Sequence, residues 1–215
     1  MASDRGMVSG GLTRRALVFA APSLLVPTVV LAALVPTPGA AEGPFYPVRI
    51  PSDDDADLVS VEGAVREAGG DILLLAGRVL DINAHPIAGA RIEIWQCDAN
   101  GVYLHPGDRR SDSRDAGFQG FGHARADTAG RFAFRTIVPV PYPGRTPHIH
   151  VKVVRGERDL LTTQFYRLGH PQNPSDFLFR RLAPSEQRRV SMAIRPRAAS
   201  PRPTFETEID LVIGG

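Results

Sequence analysis

Short apolar runs bounded by turn residues dominate the middle of the chain, and this pattern is typical of β-strands with a buried face. The first runs from Ile72 to Leu80 and the second from Ala90 to Gln96. The segment between them, "DINAHPIAG", carries the Asn, Pro and Gly that favour a turn. Arg131 to Phe134 alternates between polar and apolar residues after "DTAG", which predicts a second hairpin around that turn.

Three later segments continue the strand pattern. "HIHVKVV" (148–154) and "LTTQFYRL" (161–168) are joined by the charged turn "RGERD", and "FETEIDLVI" (205–213) alternates with a period of two. Helical character is confined to "SDFLFRRLAPSEQRRVSM" (175–192), where Ser175 could cap a helix, Asp176 suits its first turn and Pro184 should break it. We therefore predict an all-β fold, an antiparallel β-sandwich with one short helix and long loops.

The N-terminus has the order of an export signal. Arg14 and Arg15 precede an almost uncharged stretch (16–35), and small residues follow up to Ala41. The paired arginines are also typical of the twin-arginine signal. We expect residues 1–41 to be this signal, with cleavage near Ala41 and a periplasmic or extracellular destination. A retained membrane anchor is the alternative, although two prolines interrupt the apolar run. Residues 42–215 would then form the functional domain, beginning with an extended, proline-rich segment and an acidic loop.

Charge and cysteine content exclude several classes of function. Without residues 1–41 the basic and acidic side chains are equal in number, so nothing in the composition indicates a nucleic-acid partner. Contact with a membrane is expected only through an uncleaved signal, and a homo-oligomer is compatible with the composition. Cys97 is the only cysteine, which excludes an intrachain disulfide and a zinc site built from cysteines.

The segment "PYPGRTPHIHV" (141–151) contains the most informative chemistry. His148 and His150 are two residues apart, so on a strand they lie on one face with β-carbons about 6.6 Å apart. Two imidazoles at this spacing can share one metal ion with bonds of about 2.1 Å. Tyr103 and Tyr142 lie in turn-rich segments that could reach them. A phenolate is a hard anionic donor with a free pKa near 10, and a ferric ion is charged enough to keep it deprotonated.

These motifs resemble those of the intradiol ring-cleavage dioxygenases, the family that includes catechol 1,2-dioxygenase and protocatechuate 3,4-dioxygenase. The resemblance is carried by "EGPFYP", "GRVLDINAHPIAGARIEIWQCDANGVY", "PYPGRTPHIHV" and "LTTQFY", within residues 42–168. It implies a non-haem Fe(III) enzyme that uses dioxygen to cleave a small aromatic diol between its two hydroxylated carbons. The product would be a muconate-type dicarboxylate.

The resemblance also implies roles for individual residues. Iron would be held by Tyr103, Tyr142, His148 and His150, with Tyr142 displaced when substrate binds. Arg145 would stabilise charge that builds up on the substrate, and Gln164 would lie in the active-site pocket. The link from Tyr142 to His148 is shorter than in most protocatechuate 3,4-dioxygenases, which leaves the substrate open. A helical N-terminal extension typical of catechol 1,2-dioxygenases is not found, which favours a protocatechuate-like or free-standing exported branch.

Two other classes of protein fit part of the sequence. The strand and turn pattern alone also resembles transthyretin-like or carboxypeptidase-regulatory modules, which bind without catalysis. A zinc hydrolase could use the same histidines but would need a further ligand and a carboxylate base.

The remaining candidates are weaker. We expect Trp95 in the core or next to the ligands, Cys97 as a small buried residue, and Tyr46 within reach of the site. The other histidines are expected at the surface, in turns or loops: His85, His105, His123 and His170.

Overall fold

Ten strands form two five-stranded sheets in the part of the chain that this computed structural model describes, which is residue 1, residues 33–198 and residues 201–214. In chain order the strands are β1 (Ile72–Asp81), β2 (Arg91–Trp95), β3 (Phe121–Arg125), β4 (Arg131–Ile137), β5 (His148–Arg155), β6 (Arg158–Arg167), β7 (Ser191–Met192), β8 (Arg195–Pro196), β9 (Thr204–Glu208) and β10 (Leu211–Ile213). Short 3₁₀ turns occur at Ser111–Ser113, Asn173–Ser175 and Phe179–Arg181, and helix α1 spans Pro184–Arg189.

The two sheets enclose one apolar core. The first has the order β10-β1-β9-β8, with β4 paired to β1 as well, and the second has the order β3-β2-β5-β6-β7. Alternate residues of both sheets point inwards and are fully buried, including Leu73, Leu75, Ile92, Ile94, Ile149, Val151, Val153 and Phe165. Each such side chain stabilises the fold by about 1.5–3 kcal/mol relative to exposure. Because the core residues occupy one face of the second sheet, the opposite face can carry functional side chains.

The all-β prediction is confirmed, but the pairing is mixed and not purely antiparallel. Strands β9 and β10 run parallel to β1, and β7 runs parallel to β6. The predicted hairpin of β5 and β6 is present. The "DTAG" turn also forms, since Gly130 N–H donates to Asp127 O, but its flanking strands enter different sheets. The prediction of a paired hairpin there was wrong, because β3 pairs with β2 and β4 pairs with β1.

The C-terminal segment was predicted as one strand and forms two. Strand β9 ends at Glu208 and β10 begins at Leu211, and both follow β1. The break lies beside Gly77, where a β-carbon would stand 2.0 Å from the carbonyl oxygen of Ile209. Glycine therefore lets the chain pass close to β1 at the break, and the register stays the same on both sides, with Ala76 paired to Glu208 and Val79 to Leu211.

The predicted helix is displaced towards the C-terminus. Ser175 lies in a 3₁₀ turn and caps no helix, and Pro184 is the first residue of α1 and does not break it. Proline is favoured at this position because an N–H group in the first turn has no carbonyl partner, so proline loses no hydrogen bond there. The side chain of Glu186 then accepts a hydrogen bond from Ala183 N–H at 2.8 Å.

Residues 34–46, here called the N-terminal arm, lie against the domain. Leu34 N–H donates to Ile82 O at 2.7 Å, Thr37 N–H to Val212 O at 2.9 Å, and Ala40 N–H to Thr162 O at 2.8 Å. The predicted export signal (1–41) thus ends in residues that contact the domain, while residues 2–32 of it lie outside the described part of the chain. No helix of the described part is long and apolar enough to cross a membrane.

Candidate metal centre

Strand β5 places both histidines on the face of the second sheet that looks away from the core. Their neighbours Ile149 and Val151 are fully buried on the core side, and the two imidazoles are themselves almost fully buried on the other. The Nε2 atoms of His148 and His150 are 3.2 Å apart. The prediction that the spacing places both rings on one face of the strand is confirmed.

The same face collects a row of side chains from the neighbouring strands. His150 is paired across the sheet with Trp95 on β2 and with Gln164 on β6. His148 is paired with Tyr166, also on β6. Because cross-strand partners project from the same face, this register brings all five side chains together.

Tyr103 reaches the histidines from the long loop between β2 and β3. Its hydroxyl lies 3.5 Å from His148 Nε2, and the residue is buried. Its backbone N–H donates to the carboxylate of Asp108 at 3.0 Å. The loop is further held by Asp98, which accepts the backbone N–H groups of Val102 and Asp115. Buried carboxylates thus fix the position of this phenol.

Tyr142 approaches from the turn before β5 and is only half-buried. Its carbonyl oxygen accepts Arg145 N–H at 2.9 Å, and Gly144 supplies the positive φ of 83° that the turn requires. The ring centroid of Tyr142 lies 5.4 Å from that of Tyr103 and 5.5 Å from that of His148. All four predicted ligands therefore surround one small volume.

Arg145 connects this cluster to Gln164. Its guanidinium donates to Gln164 Oε1 at 2.6 Å and to the hydroxyl of Tyr142 at 3.4 Å. On its other side it donates to Asp176 Oδ2 at 2.8 Å, in an ion pair whose two side chains are almost fully buried. Tyr166 also donates to Gln164 Oε1, at 3.0 Å. Arg145 and Gln164 therefore lie where the sequence predicts them, beside the candidate ligands.

Burial keeps both histidines neutral and both phenols protonated. It lowers the pKa of His148 to about 3, with a further contribution from Arg145, and lowers the pKa of His150 well below its usual value. Burial also raises the pKa of Tyr103 well above its usual value and raises that of Tyr142, although Arg145 opposes the second shift. Neutral imidazole is the form that binds a metal, and the phenols would need a strongly charged cation to ionise them.

The donor set fits a hard trivalent cation. His148 Nδ1 donates to Thr146 O at 2.7 Å, so its Nε2 carries a lone pair directed towards His150 Nε2. Two metal–nitrogen bonds of about 2.1 Å at a right angle place their nitrogens about 3.0 Å apart. The described residues hold no group of three or more His, Cys, Asp and Glu side chains that could bind a metal, so a cation here depends on the phenols.

The comparisons with known proteins agree with this arrangement. Residues 41–215 match a family model described as dioxygenase. A sequence relative is the protocatechuate 3,4-dioxygenase beta chain of Burkholderia cepacia, 34% identical over 139 residues, or 60% of this chain and 57% of that one. The chain belongs to the intradiol ring-cleavage dioxygenase family.

Other relatives within the intradiol dioxygenases differ in length. Hydroxyquinol 1,2-dioxygenase of Corynebacterium glutamicum is 32% identical over 149 residues, which is 60% of this chain and 46% of that one. The chain spans about half the length of the curated relatives it matches. One solved structure matches the chain over a larger share of both lengths. It is the dioxygenase domain of a dioxygenase–carbohydrate-binding protein fusion from Streptomyces sp. SirexAA-E. It is 33% identical with a TM-score of 0.63, over 84% of this chain and 99% of that one.

Two residues beside the candidate metal centre were not predicted to be part of it. Asp176 was interpreted as a helix-start residue, yet its carboxylate accepts four hydrogen bonds, two of them from the segment 145–146 that leads into β5. Phe45 of the arm stacks on Tyr103, with ring centroids 4.5 Å apart. The "EGPFYP" motif was the available signal for Phe45, whereas no local pattern links Asp176 to the site, because Arg145 and Thr146 are about 30 residues away in sequence.

The secondary candidates have mixed outcomes. Cys97 is buried as predicted, and its thiol is 3.7 Å from Val140 O with a pKa raised by burial to about 12. Tyr46 lies behind Trp95, and its hydroxyl donates to Glu93 at 2.8 Å and to none of the four candidate ligands. His123 is not a surface loop residue, because it lies half-buried on β3 with Nδ1 2.7 Å from Asp54 O.

Proposed function

We propose that the protein is a non-haem Fe(III) dioxygenase that cleaves the ring of a catechol-type substrate between its two hydroxylated carbons. Both atoms of dioxygen enter the product, a muconate-type dicarboxylate. The observation that carries the proposal is the convergence of His148 Nε2 on His150 Nε2 at 3.2 Å and on the Tyr103 hydroxyl at 3.5 Å, with Tyr142 alongside. A binding module of similar fold has no need of such a buried cluster.

Tyr103, Tyr142, His148 and His150 would hold the metal. When bound, Fe(III) would act as a Lewis acid that keeps phenols ionised and makes a diol dianion reactive towards dioxygen. Two phenolates and two neutral imidazoles would leave a net charge near +1, which favours an anionic substrate.

Tyr142 is the side chain best placed to move a proton. A catechol that binds through both oxygens loses two protons; the Tyr142 phenolate oxygen can accept one of them and the other would pass to solvent. Tyr142 is less buried than Tyr103, and its turn is held by one backbone hydrogen bond, from Arg145 N–H. We therefore propose that Tyr142 is the ligand that leaves when substrate binds, while Tyr103 stays.

Arg145 would stabilise the anionic substrate. A guanidinium stays charged at every relevant pH, and its planar donors suit an oxyanion. Asp176 holds its Nε and Gln164 holds one of its terminal nitrogens, so the guanidinium is fixed before substrate arrives. The remaining nitrogen of the guanidinium donates to the Tyr142 hydroxyl. When Tyr142 leaves, an oxygen of the substrate would accept this hydrogen bond in its place.

The proposal is tested first by colour and metal content. Purified, iron-loaded protein should be burgundy to red-brown, because phenolate–Fe(III) bonds absorb in the visible range. Tyr142→Phe should shift and weaken this band, whereas Tyr46→Phe, which removes a hydroxyl bonded to Glu93, should leave it unchanged. Protein that is fully loaded with iron and colourless would contradict the assignment of the ligands.

Oxygen consumption tests the reaction itself. Catechol, protocatechuate, hydroxyquinol and a chlorocatechol should be supplied in turn, with product identified by mass. We expect one molecule of dioxygen consumed per ring opened and a product heavier than the substrate by two oxygen atoms. Coloured protein that opens none of these rings would limit the proposal to metal binding.

We also propose that the protein is exported through its N-terminal signal. The backbone hydrogen bonds of Leu34, Thr37 and Ala40 to the domain favour retention of residues 34–41 after export. Cleavage near Ala41, which the sequence predicts, would remove these contacts. Sequencing the N-terminus of the protein recovered from the exported fraction decides between cleavage near Ala41 and cleavage that leaves residues 34–41 in place.

A further inference from the structure

The two histidines of the candidate metal centre are held in different ways. His148 donates its Nδ1 proton to Thr146 O at 2.7 Å, which fixes both the tautomer and the ring angle. His150 Nδ1 is buried and has no hydrogen-bond partner among the described residues. Metal-binding histidines almost always use their second nitrogen in a hydrogen bond, which orients the ring. Something else must therefore orient His150.

The indole of Trp95 is the flat surface against which His150 lies. The two ring centroids are 4.7 Å apart and the ring planes differ by only 12°. The pair is set by the register of β2 and β5, where the two residues face each other. On another side the arm comes close: a β-carbon on Gly43 would lie 3.3 Å from His150 Cε1. Packing contacts thus take the place of the missing hydrogen bond.

Trp95 is braced in turn by Tyr46 of the N-terminal arm. The edge of one ring meets the face of the other at 83°, with centroids 5.0 Å apart. Tyr46 is fixed at its hydroxyl by Glu93, at 2.8 Å, and its ring lies 4.8 Å from the Lys152 ammonium. Trp95 Nε1 is also buried without a hydrogen-bond partner among the described residues, so packing alone sets the angle of the indole.

We propose that Trp95, braced by Tyr46, is the positioning residue that orients His150 for metal binding by stacking. This inference rests on the proposed metal centre and adds a role that the four ligands do not account for. It links the arm to metal retention, because the arm holds Tyr46, Tyr46 holds Trp95, and Trp95 holds His150. Loss of the stack would free the His150 ring to rotate and would release the metal faster, while His148 would keep its orientation.

The chain offers a direct probe, because Trp95 is its only tryptophan. Iron is removed from the full-length protein and then added back while tryptophan emission and the visible band are followed together. In the unmodified protein we expect both signals to change with the same midpoint. Release is then measured by adding a strong chelator to the loaded protein and following the decay of the visible band.

Four variants separate stacking from general packing. Trp95→Phe keeps a flat ring and should release iron within about threefold of the unmodified rate. Trp95→Leu should release iron at least about tenfold faster, which is typical when a group that orients a ligand is removed. Tyr46→Leu should also accelerate release, because the indole loses its brace. Phe134→Leu removes an equally buried aromatic from the other sheet and should lower the melting temperature without changing the release rate.

The outcomes distinguish the two proposals. If the unmodified protein takes up no iron, the proposed function fails and the positioning role fails with it. If it takes up iron but Trp95→Leu and Tyr46→Leu release it at the unmodified rate, the positioning role alone is overturned. Equal acceleration by Trp95→Phe and Trp95→Leu would also overturn it, since stacking would then not be the cause. If Trp95→Leu does not fold, Tyr46→Leu decides, because Tyr46 lies on the arm and outside both sheets.

Discussion

Replacement of Asp176 by asparagine tests whether a buried ion pair holds Arg145 in its working position. The carboxylate is almost fully buried and accepts four hydrogen bonds: from Arg145 Nε, from the backbone N–H of Thr146, and from those of Leu178 and Phe179. An asparagine amide has one oxygen in place of two. Whichever way it is placed, its NH₂ group faces two donors, and Arg145 loses its counter-ion.

The expected cost follows from this burial. Breaking a buried ion pair by removing one partner costs about 3 kcal/mol or more, because the remaining charge stays buried. For a domain of this size that corresponds to a fall in melting temperature of roughly 6–12 °C. A displacement of Arg145 by about 1 Å would also lower kcat/KM for a catechol by roughly a hundredfold.

Asp210→Asn is the matched control. Asp210 also pairs with an arginine, Arg78, through a 2.6 Å contact, but the side chains of Arg78 and Asp210 are 48% and 30% exposed. An exposed pair of this kind contributes about 1 kcal/mol at most. Urea unfolding of both variants in the metal-free form, together with oxygen uptake of the iron-loaded forms, measures the difference. The reasoning is refuted if Asp176→Asn unfolds at the same urea concentration as Asp210→Asn, or if it is less stable yet keeps full kcat/KM.

The pH dependence of this variant gives a second check. Burial acts to raise the pKa of Asp176, but the backbone N–H groups of Phe179 and Thr146 and the hydrogen bond and charge of Arg145 outweigh it, so the pKa lies below the ordinary value. A carboxylate with a lowered folded pKa stabilises the protein above its unfolded pKa, about 3.9, and this stability is lost as the pH falls through the folded pKa. Asp176→Asn should therefore lose less stability than the unmodified protein below about pH 4.

Three further predictions concern other parts of the molecule. Metal-free protein should lose stability as the pH falls from 6.5, because burial lowers the pKa values of His148 and His150 in the folded state. Each histidine should lower the free energy of unfolding by up to about 1.4 kcal/mol per pH unit. A urea midpoint that stays constant between about pH 7 and 5 would contradict this. Gly77→Ala should destabilise by about 3 kcal/mol in thermal unfolding, since its β-carbon would meet Ile209 O, whereas Gly39→Ala has room for its methyl group and should melt as the unmodified protein does. Arg145→Lys should keep iron and colour but lower kcat by about a hundredfold in oxygen uptake, because an ammonium lacks the planar donors; unchanged kcat would exclude this role.

The placement of three candidate ligands could be predicted because it is encoded locally, whereas Tyr103 lies 45 residues from His148 and was implied by the family resemblance. The spacing of His148 and His150 fixes their common face on any strand, and the turn "PYPGR" places Tyr142 and Arg145 just before it. Most strands were recognisable for the same reason, since their apolar residues follow the period of the core face. These features need only a few neighbouring residues to be specified.

Features that depend on distant partners could not be predicted in this way. Strand β3 is short and contains Gly122, and its pairing with β2 is what makes it a strand. The parallel placement of β9 and β10 beside β1 joins segments more than 120 residues apart, and no local pattern encodes it. Asp176 belongs to the same class, because its function comes from an arginine in another segment.

The N-terminal arm has a consequence for the order in which the protein is assembled. It is synthesised first, yet its partners on β6 come much later: Thr163 and Pro38, which share a 2.8 Å hydrogen bond, are 125 residues apart. Contacts that close so long a stretch of chain form late in folding, because they require the sheet to exist. We therefore expect the face that carries the four candidate ligands to form before Phe45 of the arm covers Tyr103. The proposed metal would then enter most readily before Phe45 stacks on Tyr103.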